Sequence, residues 1–250
     1  MQHGIVLSTK NIQKSFRHVQ ALREVSIVVR HGCITAIVGD NGSGKSTLIK
    51  ILSGILKPDN GSIKIAGLSY PSLSIQKALE LGIRTVYQDL ALDNFKNSIE
   101  NIFLGAELMH GPFLSRRKMK EEAKRLLANI RVEIPDLEEP VRNLSGGQRQ
   151  GVAIARALRR PGKLLLLDEP TAAMGIQESH RTLDILRHLR NEGMPQLMIS
   201  HNLPQVFSIA DYIYVMRAGC CDVEVATRET TPEQLQALIL QHEHQEAGYE

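Results

Sequence analysis

Apolar and polar positions along the chain follow two periods. Short runs that are apolar or alternate every second residue occur at Val25–Gly32 (VSIVVRHG) and Gly61–Gly67 (GSIKIAG). Their β-branched content and glycine boundaries predict strands. Between Ser115 and Val132 the period lengthens, so that Met119, Ala123, Leu126, Leu127 and Ile130 share one helical face, and Ser98–Leu104 also favours helix. In the last third KLLLLDEP, SHRTLDILRHLRNEG and PQLMISH alternate strand, helix and strand, with Gly193 and Pro195 as helix stops.

Alternating strand and helix predict an α/β fold, a largely parallel sheet covered on both faces, with the early strand-rich and middle helix-rich stretches added to it. Four apolar runs define that sheet: Ile34–Val38, Arg84–Tyr87, Leu164–Leu167 and Leu197–Ile199. Polar residues follow each run, respectively a glycine loop with Lys45, then Gln88, then Asp168 with Glu169, then His201. Ligands of open α/β sheets bind at the carboxyl ends of the strands, so the four sets are expected to converge on one site.

Composition narrows the classes. A chain of 250 residues supports one elaborated domain or two small ones, and 42% apolar with 23% charged residues is ordinary for a globular protein. The net charge of +3 comes without a long single-sign run, which gives no support to a nucleic-acid-binding arm. Cys33, Cys220 and Cys221 form no CxxC, so a reducing compartment is expected rather than a disulfide framework or zinc site. There is no apolar run of about 18 residues and no signal-peptide layout at the N-terminus, which predicts a cytosolic chain still able to dock on a membrane protein. Arg116, Arg117, Lys118 and Lys120 lie beside Glu121 and Glu122 and read as a solvated helix face. His242 and His244 read as part of a disordered tail rather than as a metal site.

The chemistry concentrates in two glycine loops and one acidic pair. Gly39–Ser46, GDNGSGKS, matches G-x-x-x-x-G-K-[ST]. Its backbone N–H groups would surround the α and β phosphates of a nucleotide at a helix N-terminus, so its bareness is expected to serve that ligand. Lys45 would reach the β and γ phosphates and Ser46 would ligate Mg²⁺. Asp168 and Glu169 end a fully buried strand; Asp168 can hold Mg²⁺ and Glu169 can polarise the attacking water, the alternative being that the pair caps the next helix. Gln88 and His201 are weak alone. Asn143–Gln150, NLSGGQRQ, also opens a helix, and it reads either as a well-capped loop or as a phosphate contact offered to a second chain's nucleotide.

In that order GDNGSGKST, Gln88, LSGGQ, LLLLDEPT and His201 resemble the nucleotide-binding subunit of ATP-binding cassette (ABC) transporters, from about Val6 to Met216. The resemblance implies a P-loop NTPase (RecA-like) core with an antiparallel β subdomain: residues 1–88 and 161–225 as core and β subdomain, 89–160 as helical subdomain, 226–250 as C-terminal helix and tail. It implies ATP and Mg²⁺ as cofactors, with Gly39, Asp40, Asn41, Gly42, Ser43, Gly44, Lys45, Ser46 and Thr47 on the nucleotide. Phe16 would stack on adenine, and Ser46, Gln88 and Asp168 would serve the metal. Glu169, His201 and Gln88 would be catalytic. Ser145, Gly146, Gly147 and Gln148 would meet the nucleotide of a second copy or homologous cassette, head to tail. VYQDLAL, ENIFLG and EPTAAMG are similar to bacterial monosaccharide importer subunits. That implies transmembrane permease subunits, an extracytoplasmic solute-binding protein reached indirectly, and a peripheral place on the cytoplasmic face of the inner membrane. A soluble ABC protein acting on nucleic acid or ribosomes is the alternative, but the chain has neither two cassettes nor a coiled-coil insertion. One departure stands out: Gly175 stands where many cassettes carry an aspartate, in the loop that couples the two sites across the dimer.

Overall fold

The computed structural model describes residues 4–240. From the N-terminus, β1 (Ile5–Phe16), β2 (Val19–Val25), β3 (Val28–Arg30) and β4 (Ile34–Val38) lead into α1 (Lys45–Leu52), and β5 (Asn60–Ile65), β6 (Leu68–Tyr70) and α2 (Ile75–Glu80) precede β7 (Ile83–Val86). Next come α3 (Ser98–Phe103), the hairpin of β8 (Met109–His110) and β9 (Phe113–Leu114), α4 (Arg116–Asn129) and α5 (Gly146–Leu158). The chain then runs through β10 (Leu164–Asp168), α6 (Ile176–Asn191), β11 (Gln196–Ile199), α7 (Leu203–Ile209), β12 (Tyr212–Arg217), β13 (Cys220–Ala226) and α8 (Pro232–Leu240).

The main sheet has the order β13-β12-β4-β11-β10-β7 and is parallel except for β13. All four predicted apolar runs are strands of it and are consecutive neighbours, β4-β11-β10-β7. Their side chains alternate between two cores. Ile34, Ala36, Val38, Leu165, Leu167 and Met198 pack with α3, α4, α5 and α6, whereas Ile37, Leu164, Leu166, Leu197 and Ile199 pack with α1 and the antiparallel sheet. Burial on both faces explains why these strands read as continuous apolar runs. Met119, Ala123, Leu126, Leu127 and Ile130 bury the predicted α4 face in the first of these cores, so residues 89–160 share a core with the sheet. The basic start of α4 lies at the surface, where Arg117 pairs with Glu121 at 3.0 Å and Lys120 pairs with Glu138.

The expected strand over Val25–Gly32 is divided. β1 pairs with β2 through its second half and with β3 through its first, and the chain breaks between them at Ser26 and Ile27. Thr9 Oγ1 accepts from the Ile27 N–H at 2.9 Å and donates to the Val25 carbonyl at 3.2 Å, satisfying the groups the break leaves over. The antiparallel sheet, order β2-β1-β5-β6, is tied to the main sheet where Tyr214 Oη accepts from the Val28 N–H at 2.9 Å. Arg30 and Glu224 form an ion pair across the same junction. α8 packs on α7 and β12. His242 and His244 lie outside the described residues.

Candidate functional site

The glycine loop leaves β4 at its buried end and turns straight into α1, and its glycines are bare for different reasons. A Cβ on Gly39 (φ +148°) would stand 1.9 Å from the Met216 carbonyl oxygen, and one on Gly44 (φ +106°) 2.4 Å from the Ala21 carbonyl oxygen. Backbone of β12 and β2, rather than a ligand, forbids side chains there. Gly42 (φ +84°) has nothing within 4 Å, so only its left-handed backbone calls for glycine. The bareness expected to serve a ligand is thus already required by neighbouring backbone at Gly39 and Gly44.

Lys45 is buried and spans this loop, donating to the carbonyls of Gly39 at 2.7 Å and Asp40 at 2.6 Å and to Ser43 Oγ at 3.3 Å. Burial lowers the ammonium's pKa, while Glu169, Asp40 and Asp168 pull the other way. Ser46, one residue on in α1, donates to Asp168 Oδ1 at 3.1 Å. Burial raises the Asp168 carboxyl above the usual carboxylate range, the Ser46 hydrogen bond opposing it and the Glu169 charge adding to it. A hydroxyl and a carboxylate side by side are the hard oxygen donors that suit Mg²⁺, so Ser46 and Asp168 fit the ion that the motif implies.

Asp168 is the last residue of β10. Glu169 continues the ladder by one bond, its N–H donating to the Ile199 carbonyl at 3.0 Å, but its φ of +51° swings the carboxylate out of the strand direction. A left-handed non-glycine residue is a strained position of the kind that gathers at functional sites. Its Oε2 lies 2.9 Å from Nδ1 of His201, which follows β11. Together Ala21, Asn41, Gly42, Gly44, Lys45, Ser46, Thr47, Gln88, Glu169 and His201 line one cleft of about 290 Å³. The strand ends have brought Gln88, Glu169 and His201 against the glycine loop.

Other expected residues lie elsewhere. Phe16 is 43% exposed at the β1–β2 turn, with the Lys14 ammonium 5.6 Å from its ring centre, and it does not line the cleft. Ser145–Gln148 do not line it either. Ser145 caps α5: its Oγ accepts from the Gln148 N–H at 3.3 Å, and Gln148 Oε1 accepts from the Ser145 N–H at 3.0 Å. Gln148 Nε2 donates to the Glu133 carbonyl at 3.2 Å, so this side chain is engaged within its own chain.

Sequence reasoning missed the supports of the segment after Gln88. Buried Asn101 donates to the carbonyls of Asp93, Lys96 and Asn97 and accepts from the Asp93 N–H at 2.8 Å. Arg156 of α5 donates to the carbonyls of Leu90 and Ala91, and Arg149 to Asn94 Oδ1 at 2.9 Å. A polar residue inside an apolar helical pattern, Asn101 in SIENIF, was the available clue.

Comparison with known proteins identifies the family. The family model described as ABC transporter matches residues 22–172. The chain is 44% identical to the xylose/arabinose import ATP-binding protein XylG of Sulfolobus acidocaldarius, over 94% of this chain and 93% of that one. It is 40% identical to the fructose import ATP-binding protein FrcA of Rhizobium meliloti, over 86% and 85% respectively. Among solved structures it superposes on the ATP-binding cassette MJ0796 in its dimeric post-hydrolysis state bound to ADP and Pi, with a TM-score of 0.76, 25% identity, and coverage of 90% of this chain and 100% of that one. These likenesses cover both sheets and the helical stretch between them, and with them the P-loop NTPase fold. The chain belongs to the ABC transporter family.

Proposed function

We propose that the chain is the ATP-hydrolysing subunit of an importer, coupling ATP binding and hydrolysis in a head-to-tail dimer to uptake of a monosaccharide through a separate permease. The observation that carries the proposal is the meeting of Lys45, Ser46, Gln88, Asp168, Glu169 and His201 around one cleft at the strand ends. The loop amides and Lys45 would bind the phosphates. Mg²⁺, when bound, neutralises charge on the phosphate oxygens, and Ser46 and Asp168 would hold it with Gln88 beside them. Glu169 takes the proton of the attacking water at its carboxylate, while His201, at 2.9 Å, orients that carboxylate and would hold the γ phosphate.

Ser145, Gly146 and Gly147, remote from their own chain's cleft, would complete the site of the second copy, a reading supported by the dimeric post-hydrolysis state of the MJ0796 cassette. The sugar follows from the import names carried by XylG and FrcA. No helix among the described residues is long and apolar enough to cross a membrane, so the proposed place at the cytoplasmic face depends on the permease. Residues 89–160 would meet it, with Phe95 and Phe113 exposed there.

The test is light scattering coupled to size exclusion. Glu169→Gln keeps shape but removes the base, which typically costs about 10² to 10⁴ in rate, so the variant should hold ATP and form a dimer. Added Ser145→Arg should return it to monomer, and Lys45→Ala should weaken ATP binding by at least about tenfold. A dimer indifferent to nucleotide and to Ser145→Arg overturns the sandwich. Unchanged ATP affinity in Lys45→Ala overturns the nucleotide site.

A further inference from the structure

Glu178 lies in the first turn of α6, outside the glycine loops and the acidic pair. Its Oε1 accepts from the Gly146 N–H of α5 at 2.9 Å, and its Oε2 lies 3.4 Å from the Gly175 nitrogen at the start of α6. One carboxylate therefore bridges the two loops that lead into α5 and α6. The bridge also accounts for one glycine of the LSGGQ stretch. A Cβ on Gly146 would stand 2.9 Å from Glu178 Oε2, so a side chain there would push the carboxylate away.

The bridge accounts for one of the donors in the first turn of α5, and capping accounts for most of the rest. In the first turn of α5 the Gly146 N–H is held by Glu178, the Gln148 N–H by Ser145 Oγ, and the Arg149 N–H by the Ser145 carbonyl at 2.9 Å. Among the described residues the Gly147 N–H has no partner. That amide, with the Ser145 hydroxyl, is what the turn can offer to an anion from outside the chain, and its aim depends on what fixes the turn. Gly175 has no side chain to cap α6 or tie its loop, so Glu178 does both from one turn further along.

We propose that Glu178 is a positioning residue that locks the Ser145–Gly147 turn to the loop following the catalytic carboxylate, so that both move as one unit towards the second subunit. The proposal rests on the reading of that turn as the contact to the partner's nucleotide. Loss of the bridge leaves the Gly147 amide and Ser145 hydroxyl on a turn free to swing, and a misplacement of about 1 Å is enough to spoil such a contact.

Helix capping and bridging can be separated. Gly175 has φ −65° and ψ 163°, an ordinary cap conformation, and a Cβ there meets nothing within 4 Å. Gly175→Asp can therefore cap α6 from the usual position without reaching across to Gly146. In the full chain, Glu178→Ala is expected to lower Tm by about 2–4 °C and to speed hydrogen exchange of the Gly146 amide at least about tenfold. Adding Gly175→Asp should restore Tm while Gly146 stays fast. In the Glu169→Gln background with ATP, dimer affinity should fall about tenfold in Glu178→Ala and stay low in the double variant. Recovery of dimer affinity together with Tm overturns the proposal by reducing Glu178 to a cap, and so does unchanged Gly146 exchange in Glu178→Ala. A Glu169→Gln parent that stays monomeric with ATP overturns the sandwich reading instead, and the Gly146 exchange then still decides whether the bridge exists.

Discussion

Two glycine-rich loops open two helices in this molecule, and they are built on opposite principles. The loop before α1 is held open by backbone: Gly39, Gly42 and Gly44 all have left-handed φ, and neighbouring carbonyls from β12 and β2 press against two of them. Asn41, Gly42, Gly44 and Lys45 of this loop line its own chain's cleft, the Lys45 ammonium spanning the loop to the carbonyls of Gly39 and Asp40. The loop before α5 is conventional. Neither Gly146 nor Gly147 is left-handed, and side chains of Ser145, Gln148 and Glu178 satisfy nearly all of its first turn. The first loop takes its shape from neighbouring backbone; the second is a capped helix with one amide left over. A local motif can encode the cradle, but the leftover amide has a use only when something outside the chain supplies an anion.

The sharpest way to break this contrast is to add one methyl group. Gly39→Ala must move a strand or lose the turn, because its Cβ would overlap the Met216 carbonyl at 1.9 Å. It is expected to cost about 3 kcal/mol or more in urea unfolding. Gly42→Ala, with open space around it, should cost only the left-handed backbone, about 1–2 kcal/mol. A Gly39→Ala protein that unfolds at the parent midpoint would mean that the cradle is not held by its neighbours.

The same contrast shows what could be read in advance. The four strands, Lys45, the Asp168–Glu169 pair, Gln88 and His201 were legible because each lies within a few residues of an apolar run, and strand ends of a parallel sheet must gather. The break at Ser26 and Ile27 was not, since it depends on β1 being long enough to pair on both sides of it and on Thr9 reaching across. The role of Glu178 was hidden for the same reason: 32 residues separate it from Gly146, and no periodicity links them. Phe16 shows the converse, an aromatic in the expected sequence position that the fold leaves outside the cleft.

Charge offers a smaller test. The cradle side carries a desolvated carboxylate, whereas the carboxylate of the other loop, Glu178, is satisfied by amides. Burial raises the Asp168 carboxyl, so the folded state holds that proton more tightly than the unfolded state does. Stability falls as pH rises between the two pKa values, and the full penalty is present above the folded one. Asp168→Asn removes the charge and keeps an acceptor for Ser46. In calorimetry without nucleotide it should raise Tm by about 2–4 °C at pH 7, a gain that shrinks as pH falls and is gone below about pH 3, where both states of the parent are protonated. A gain that persists at low pH would assign the effect to packing instead of charge.

The smallest effect on stability is expected at Gly147, and there it is most telling. A Cβ would sit 3.6 Å from the Glu178 carbonyl oxygen and 3.7 Å from its Cα, ordinary contact distances, and the backbone is already helical. Alanine is the better helix former by up to about 1 kcal/mol, so Gly147→Ala should unfold within about 0.5 kcal/mol of the parent or slightly above it. Nothing inside the chain therefore requires this residue to be glycine. If the space beside its free N–H is where the partner's phosphate approaches, the added methyl should weaken the ATP-dependent dimer of Glu169→Gln while leaving ATP binding to the monomer unchanged. The two readouts then part: unfolding is flat, and dimer affinity falls by about tenfold or more. Destabilisation on the scale of Gly39→Ala would make the two loops alike after all. Full stability with undiminished dimerisation would show that the bare Gly147 position serves neither its own fold nor a second chain.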